Sequence, residues 1–264
     1  MVRPLQSIQP ITRIISTNGS RPVEVLCNDS NYYICKYARF TPASRLFNEY
    51  IATCFLKIWN ISTPDIAFIN IEPAHVIEGL PAFAFNKPCF GSKVVRDAQD
   101  VNRFTDATQL NHLQFLEIAL FDIWLSNEDR NHNNFNLLIS NESENNYQFY
   151  AIDHEYCFNT DTLERELNII SFDETIINTD LCKSLLEGID ITQWLLFYVE
   201  NFFYKNVELC IKELDAILTQ IPVAWGIDIN LKKEHLTQKI FAEDWLKSSI
   251  TAFKSYLQLL SSYK

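Results

Sequence analysis

One stretch of the chain, from Asn127 to Asp153, constrains the fold more than any other. It reads NEDRNHNNFNLLISNESENNYQFYAID and follows an apolar run with helical spacing. Two short segments of β type, Phe135 to Ile139 and Tyr147 to Ile152, flank a polar turn inside it. Because a hairpin with short arms brings its two ends together, we expect Asn134 and Asp153 to be neighbours. The pattern therefore predicts a pair of oxygen ligands for a metal ion.

Composition sets the broad class of protein. The chain has 264 residues, of which 47% are hydrophobic, enough to bury an ordinary core within a single domain over residues 1–264. Its 22 basic and 33 acidic residues give a net charge of -11, so we expect no direct binding to nucleic acid. The cysteines are scattered and the first residues lack a long apolar segment, which favours a cytoplasmic protein without a membrane segment.

The first part of the chain has mainly β character. The segments ITRIIS, VEVLC and NYYICKYA predict three antiparallel strands between Ile11 and Arg39. Because side chains alternate along a strand, Lys36 shares a face with Tyr32 and Ile34. A solvated lysine packed on tyrosines and a phosphate ligand are both consistent with this position.

A helix is predicted next, from the apolar spacing in ASRLFNEYIATCFLKIWN, with Glu49 on the flank of its apolar face. Two more strands are expected between Pro64 and Pro88. The segment from Phe90 to Lys93 (FGSK) is interpreted as an irregular connector. The change in composition here predicts a β-rich small lobe over residues 1–86.

Beyond Asp97 the chain is mostly helical, apart from the hairpin. A helix is predicted over residues 106–126, with Asp106 or Thr108 as its N-cap. Further helices are predicted around residues 178–188, 191–204, 207–219 and 231–263, the last with a break. The sequence thus predicts an α+β fold with two lobes, the second mainly helical and spanning residues 87–264.

The polar residues of the opening stretch suit phosphoryl transfer. Asp129, Asn134 and Asp153 offer hard oxygen ligands for Mg²⁺, with one carboxylate left to orient a nucleophile, and Lys36 would neutralise phosphate. Taken singly, such residues are often only loop caps. A transition-metal hydrolase site that adds His132 and His154 is an alternative, but no second histidine spacing supports it.

The segments NEDRNHNNFNLLI and FYAIDHEYCF resemble the catalytic loop (N-x-D-R-x-x-x-N) and the I-D-H metal-binding motif of the HipA-like kinases. This family is similar to phosphoinositide kinases and, more distantly, to protein kinases. Upstream, NGSRPVEV resembles the phosphate-binding turn and YYICKYA the strand with the nucleotide lysine. The resemblance implies a protein-kinase-like fold and phosphoryl transfer from ATP, with Mg²⁺, to Ser or Thr of a protein substrate.

The resemblance also implies roles for single residues. Asp129 would orient or deprotonate the attacking hydroxyl, and Arg130 would brace the loop. Asn134 and Asp153 would hold Mg²⁺. The residues implied in nucleotide binding are Lys36, its partner Glu49, and, near the phosphates, Ser16, Thr17, Gly19 and Ser20.

Three features depart from the family pattern, and the first is that the turn around Gly19 has a single glycine. Asn131 stands where histidine is common after Asp-Arg, and Glu155 stands where a small residue is expected after I-D-H. None of these departures removes an essential ligand. An alternative function of a different class is an inert, nucleotide-binding pseudokinase that binds a partner protein such as an antitoxin or regulator. A toxin role is implied by the resemblance alone, and the identity of the substrate is left open.

Overall fold

The computed structural model describes residues 2–16, 21–39, 42–108, 110–141, 147–161, 163–191 and 193–262. They form a sheet region followed by a mainly helical region, which confirms the predicted α+β class. Within these ranges, no helix combines the length and the apolar character needed to cross a membrane.

A six-stranded sheet dominates the first region. Its strands are β1 (Arg3–Gln6), β2 (Arg13–Ile14), β3 (Val23–Leu26), β4 (Tyr32–Lys36), β5 (Ile66–Asn70) and β6 (Cys89–Lys93). Their order is β1-β5-β6-β4-β3-β2. The three predicted antiparallel strands are β2, β3 and β4, and burial alternates along β4, so Lys36 lies on the less buried face. The sequence did not predict β1, which pairs with β5 in parallel.

Two expectations about the end of this region are wrong. Phe90 to Lys93 is not an irregular connector but part of β6, which lies between β5 and β4 in the sheet. The second strand expected between Pro64 and Pro88 is replaced by two short 3₁₀ helices, Pro73–His75 and Ala82–Phe85. Because the sheet continues to Lys93, we propose a lobe boundary after that residue rather than at residue 86.

Gly91 explains how β6 fits into the middle of the sheet. A Cβ atom at this position would lie 2.2 Å from the Cδ1 atom of Ile69 on β5. A glycine at this position therefore avoids a clash between two neighbouring strands.

The helices are α1 (Ser44–Ile58), α2 (His112–Leu125), α3 (Cys157–Asp161), α4 (Asp180–Leu185), α5 (Gln193–Leu218), α6 (Ile229–Gln238) and α7 (Glu243–Ser262). The N-cap of α2 is Asn111, whose side chain accepts the backbone N–H groups of Leu113 and Gln114, so the caps expected at Asp106 or Thr108 are wrong. Helix α5 is continuous where two helices were predicted. The last predicted helix is divided into α6 and α7.

The predicted hairpin is confirmed. It consists of β8 (Leu137–Asn141) and β9 (Tyr147–Ala151), with the short strand β7 (Gln99–Asp100) at its edge. Leu137 lies opposite Ala151, and the N–H of Ile152 donates to the carbonyl of Asn136 at 3.1 Å. The chain segments before β8 and after β9 therefore emerge at the same end.

Helix α1 packs with the helical region, although it lies between two strands of the sheet in sequence. Its buried residues share one core with α2, α5 and α7 and with Phe68 and Phe90 of the sheet, whereas the other buried sheet residues form a separate core. Trp59 stacks on Trp124 with ring centroids 5.2 Å apart, and the hydroxyl of Tyr50 donates to the carbonyl of Ile217 at 2.8 Å. Glu49 on α1 is therefore fixed to the helical region, while Lys36 belongs to the sheet.

Candidate active site

Lys36, at the end of β4, lies against three carboxylates. Its Nζ forms an ion pair with Glu49 Oε1 and lies 2.6 Å from Asp153 Oδ1 and 3.5 Å from Glu155 Oε2. The Lys36 side chain is 11% exposed, so these charges interact largely through protein rather than through water. The structure thus brings together Lys36, Glu49 and Asp153, three candidate residues that lie on separate elements of the chain.

Burial and ion pairing have opposite effects on these groups. Burial would lower the pKa of Lys36, but Glu49, Asp153 and Glu155 raise it above its usual value. Burial raises the pKa of Glu49, and Lys36 only partly opposes this. For Asp153, burial is outweighed by Lys36, which holds its pKa below the usual value. Of these two carboxyls, burial favours the protonated form of Glu49, whereas Lys36 favours the ionised form of Asp153.

Asn48 joins α1 to the segment that carries Asp153. It is buried next to Glu49, and its Nδ2 donates to the carbonyls of Glu155 at 3.0 Å and Cys157 at 3.4 Å. Glu155 Oε1 is also 3.6 Å from Arg45 in the first turn of α1. Glu155, which departs from the family pattern, is therefore a buried carboxylate that lies close to both Lys36 and Arg45.

In the loop between α2 and β8, two amides hold the carboxylate of Asp129. Its Oδ2 accepts from Asn134 Nδ2 at 3.1 Å and from Asn136 Nδ2 at 2.9 Å. Asn136 has φ 47°, in the left-handed region that asparagine tolerates better than most residues. Sequence reasoning missed Asn136; the signal was its place two residues after Asn134, at the entrance to a strand.

Asn131, which stands in place of a histidine, closes the tip of the loop. Its Nδ2 donates to the carbonyl of Glu128 at 2.9 Å, and its Oδ1 accepts the N–H of Asn133 at 2.9 Å. Its backbone also exchanges two hydrogen bonds with Asn134. An asparagine thus shapes this loop by hydrogen bonds to its own turn.

Arg130 is fully buried beneath this loop. Its Nε donates to the carbonyl of Phe135 at 3.1 Å and its Nη2 to the carbonyl of Ile152 at 2.7 Å. Nη2 also lies 2.9 Å from His154 Nε2, and Nη1 lies 2.5 Å from Asp122 Oδ1. Asp122 is a second residue that sequence reasoning missed, although a lone acid in an apolar helical run was a signal for a buried partner.

Asn134 and Asp153 lie at the same end of the hairpin, since Arg130 binds the carbonyls of both Phe135 and Ile152. Their side chains have different partners: Asn134 contacts Asp129, and Asp153 contacts Lys36. The hairpin therefore brings both residues to one end of the site without pairing their side chains.

The donor atoms fit a hard metal ion. Carboxylate oxygens of Glu49, Asp153 and Glu155 lie within 4.8 Å of one another. Oxygen ligands of this kind suit Mg²⁺. Because the Nζ of Lys36 lies among these atoms, a metal ion and Lys36 would compete for Asp153.

The histidine alternative finds no support in the described ranges. His132 is exposed, whereas His154 is 1% exposed and its Nε2 faces a guanidinium N–H, so this nitrogen accepts a hydrogen bond. Burial, Arg130 and Lys36 hold the pKa of His154 well below its usual value. The cluster of metal-binding groups contains neither histidine.

A cavity of about 530 Å³ opens beside the loop. Its walls include Asn102, Phe104, Asn134, Asn136 and Ile152. A slightly larger cavity, of about 570 Å³, has walls that include Tyr33, Lys57 of α1 and Glu213 of α5, and its lining contains neither Lys36 nor a residue of the loop.

Only part of the predicted phosphate-binding turn falls within the described residues. Ser16 is exposed just beyond β2. Thr17, Gly19 and Ser20 lie outside the described residues.

Comparison with known proteins agrees with this architecture. The sequence profile of the HipA-like kinase family matches residues 8–255. No curated protein sequence matches the chain. Among solved structures, the crystal structure of CtkA, a proinflammatory kinase of Helicobacter pylori, is similar with a TM-score of 0.59 and 14% identity, over 98% of this chain and 99% of that chain. At this identity the likeness concerns the fold.

Proposed function

This chain belongs to the HipA-like kinase family, and from that premise we propose that it transfers the γ-phosphoryl group of ATP to a Ser or Thr hydroxyl of a protein, with Mg²⁺ as the metal ion. The main support is the convergence of Lys36, Glu49 and Asp153 at one point. This point adjoins the loop of Asp129, because Arg130 in that loop binds the carbonyl of Ile152, the residue before Asp153.

The side chains divide the work of phosphoryl transfer. ATP with bound Mg²⁺ supplies the transferable group and neutralises part of its charge. Asp153 and Asn134 would hold the metal ion. Asn134 would use its side-chain oxygen Oδ1 for this, while its Nδ2 continues to donate to Asp129. Lys36 would contact the α- and β-phosphates and Glu49 would hold Lys36, with Ser16, Thr17, Gly19 and Ser20 near the phosphates.

Asp129 would accept or orient the proton of the attacking hydroxyl. Both amide donors bind the same oxygen, Oδ2, and so fix the orientation of the carboxylate. A fixed base close to the hydroxyl favours in-line attack because less orientational freedom is lost on reaching the transition state.

Transfer of label from γ-labelled ATP tests the proposal. We expect the purified protein with Mg²⁺ to label itself or a protein in a lysate, on Ser or Thr by phosphoamino-acid analysis. Asp129→Ala and Asp153→Ala should each abolish labelling. As a matched control, Glu208→Ala on the exposed face of α5 should label normally. Undiminished labelling by Asp129→Ala would contradict the role of Asp129.

Nucleotide binding separates the enzyme from the alternative. Mg²⁺-ATP should raise the melting temperature of the wild type and of Asp129→Ala, and much less that of Asp153→Ala. If the wild type shows the thermal shift but labels neither itself nor any lysate protein, the chain is an inert nucleotide-binding module that acts on a partner, such as an antitoxin or regulator.

A further inference from the structure

We propose that Asp122, on α2, is a positioning residue for the active site and acts through Arg130, taking the proposed phosphoryl transfer as given. Asp122 is far from solvent and has no contact with Lys36 or Asp129 in the described residues. Its effect would be to fix the guanidinium that joins the catalytic loop to the segment of Asp153.

Asp122 is buried, so its ionised form depends on stabilisation by neighbouring residues. It interrupts the apolar sequence LEIALFDIWL, and its side chain is 3% exposed. Burial raises the pKa of Asp122, while Arg130 and Asn127 oppose this shift. A buried carboxylate is tolerated when it is paired and hydrogen-bonded. Here Oδ1 accepts from Arg130 and from Asn127 Nδ2 at 3.0 Å, while Oδ2 has no hydrogen-bond partner among the described residues.

The surroundings of Arg130, the ion-pair partner of Asp122, also support a positioning role for Asp122. In the described residues, Asp122 is the carboxylate that forms an ion pair with Arg130, whose side chain is 0% exposed. His154 does not add a charge, since its Nε2 accepts a hydrogen bond from the guanidinium. The charge of Arg130 is therefore balanced from α2, at the base of the loop.

The planar guanidinium converts this ion pair into a geometric constraint. The five N–H donors lie in one rigid plane, so a hydrogen bond from Nη1 to Asp122 restricts the directions of Nε and Nη2. Nε and Nη2 hold the carbonyls of Phe135 and Ile152, which are adjacent in sequence to Asn134 and Asp153. One carboxylate on α2 thus restrains the two backbone segments that carry the proposed metal ligands.

Asp122 also fixes the start of the loop. Asn127 binds it twice, through its side chain and through its backbone N–H, which donates to the carbonyl of Asp122 at 2.9 Å. Ser126, between them, ends α2 in the left-handed conformation with φ 47°. Hydrogen bonds therefore connect both the beginning and the far end of the loop to the same turn of α2.

Asp122→Asn tests this role because it keeps the shape and one acceptor but removes the charge. We expect the Mg²⁺ concentration for half-maximal labelling to rise about 10-fold, the size typical of residues that orient metal ligands. Labelling at saturating Mg²⁺ should recover in part. The matched control is Asp190→Asn, at an exposed position between α4 and α5.

A double variant separates positioning from folding. Asp122→Asn combined with Arg130→Gln leaves no unpaired buried charge, so it should melt at a higher temperature than Asp122→Asn alone. Its labelling should nevertheless remain impaired, since a glutamine cannot reach both carbonyls and the α2 side chain together. If labelling by the double variant recovers together with its melting temperature, the pair of Asp122 and Arg130 serves folding alone. A normal Mg²⁺ dependence of labelling in Asp122→Asn would also overturn the inference.

The outcome can be distinguished from failure of the proposed function. If the wild type does not transfer phosphate, the same variants are compared by the Mg²⁺ dependence of the thermal shift with ATP. A shift in the Mg²⁺ requirement of Asp122→Asn would then support positioning of the metal ligands, and an unchanged requirement would contradict it.

Discussion

The Nζ of Lys36 lies 2.6 Å from Oδ1 of Asp153. The residue proposed to bind phosphate and the residue proposed to bind the metal ion thus neutralise each other. ATP with its metal ion carries negative phosphate groups and a positive metal. Its binding would therefore replace the ion pair between Lys36 and Asp153 by one interaction of Lys36 with phosphate and one of Asp153 with the metal ion. Because Lys36 belongs to the sheet and Asp153 to the helical region, the same contact also joins the two regions.

Replacement of Lys36 by methionine should abolish labelling and lower stability. The variant would leave Glu49, Asp153 and Glu155 close together without their shared cation. Breaking a buried pair typically costs about 3–5 kcal/mol, and proton uptake by Glu49 should offset part of this. Urea unfolding at several pH values should therefore show a smaller loss at low pH.

The control for this variant is Lys212→Met, on the exposed side of α5, which should change neither property. Normal labelling by Lys36→Met would contradict its role in nucleotide binding. An equal loss of stability at all pH values would show that Glu49 does not take up a proton.

Asn136→Gly should slow phosphoryl transfer without destabilising the protein. Glycine fits φ 47° at this position but removes the amide that binds Asp129 Oδ2 at 2.9 Å. We expect kcat to fall about 10-fold, as for other residues that orient a catalytic side chain, with little change in KM for ATP. Steady-state kinetics and melting temperatures check both points, and an unchanged kcat would mean that Asn134 alone orients Asp129.

The sequence predicts the parts of this site that follow from local patterns. Alternation along NYYICKYA placed Lys36 on its face, and the apolar runs on either side of a polar turn placed the hairpin. These predictions succeed because side-chain periodicity and short-range pairing determine them. The same rules failed at Phe90 to Lys93, where glycine, serine and lysine suggest a loop but the close approach of Ile69 requires a glycine inside the sheet.

Long-range partners were beyond such patterns. Asp122 and Arg130 are eight residues apart across a helix end, and their pairing depends on the left-handed turn at Ser126. The assignment of α1 to the helical core depends on aromatic contacts such as Trp59 with Trp124, which no local spacing specifies. A single buried acid in an apolar helix indicates that a partner exists but not which one it is.

Trp225→Ala should loosen the contact between the sheet and the helical region. The indole Nε1 donates to the carbonyl of Pro88 at 2.7 Å. The indole ring is perpendicular to the ring of Phe68, with ring centroids 5.3 Å apart. Truncation of a buried tryptophan costs about 3–5 kcal/mol in the free energy of unfolding. Val223→Ala, in the same 3₁₀ turn but 96% exposed, is the matched control. Denaturant unfolding should separate the two variants, and equal stabilities would show that Trp225 does not join the regions.

Glu117→Gln should stabilise the protein at pH 8 more than at pH 5. Burial in α2 raises the pKa of Glu117 from 4.5 to about 7. Between these values the folded state binds more protons than the unfolded state, so this group makes stability fall as pH rises and has no further effect above pH 7. Glutamine removes the titration, and the gain in melting temperature should therefore grow from pH 5 to pH 8. Glu208→Gln, at an exposed site on α5, is the matched control. A gain for Glu117→Gln that is independent of pH would contradict the raised pKa of Glu117.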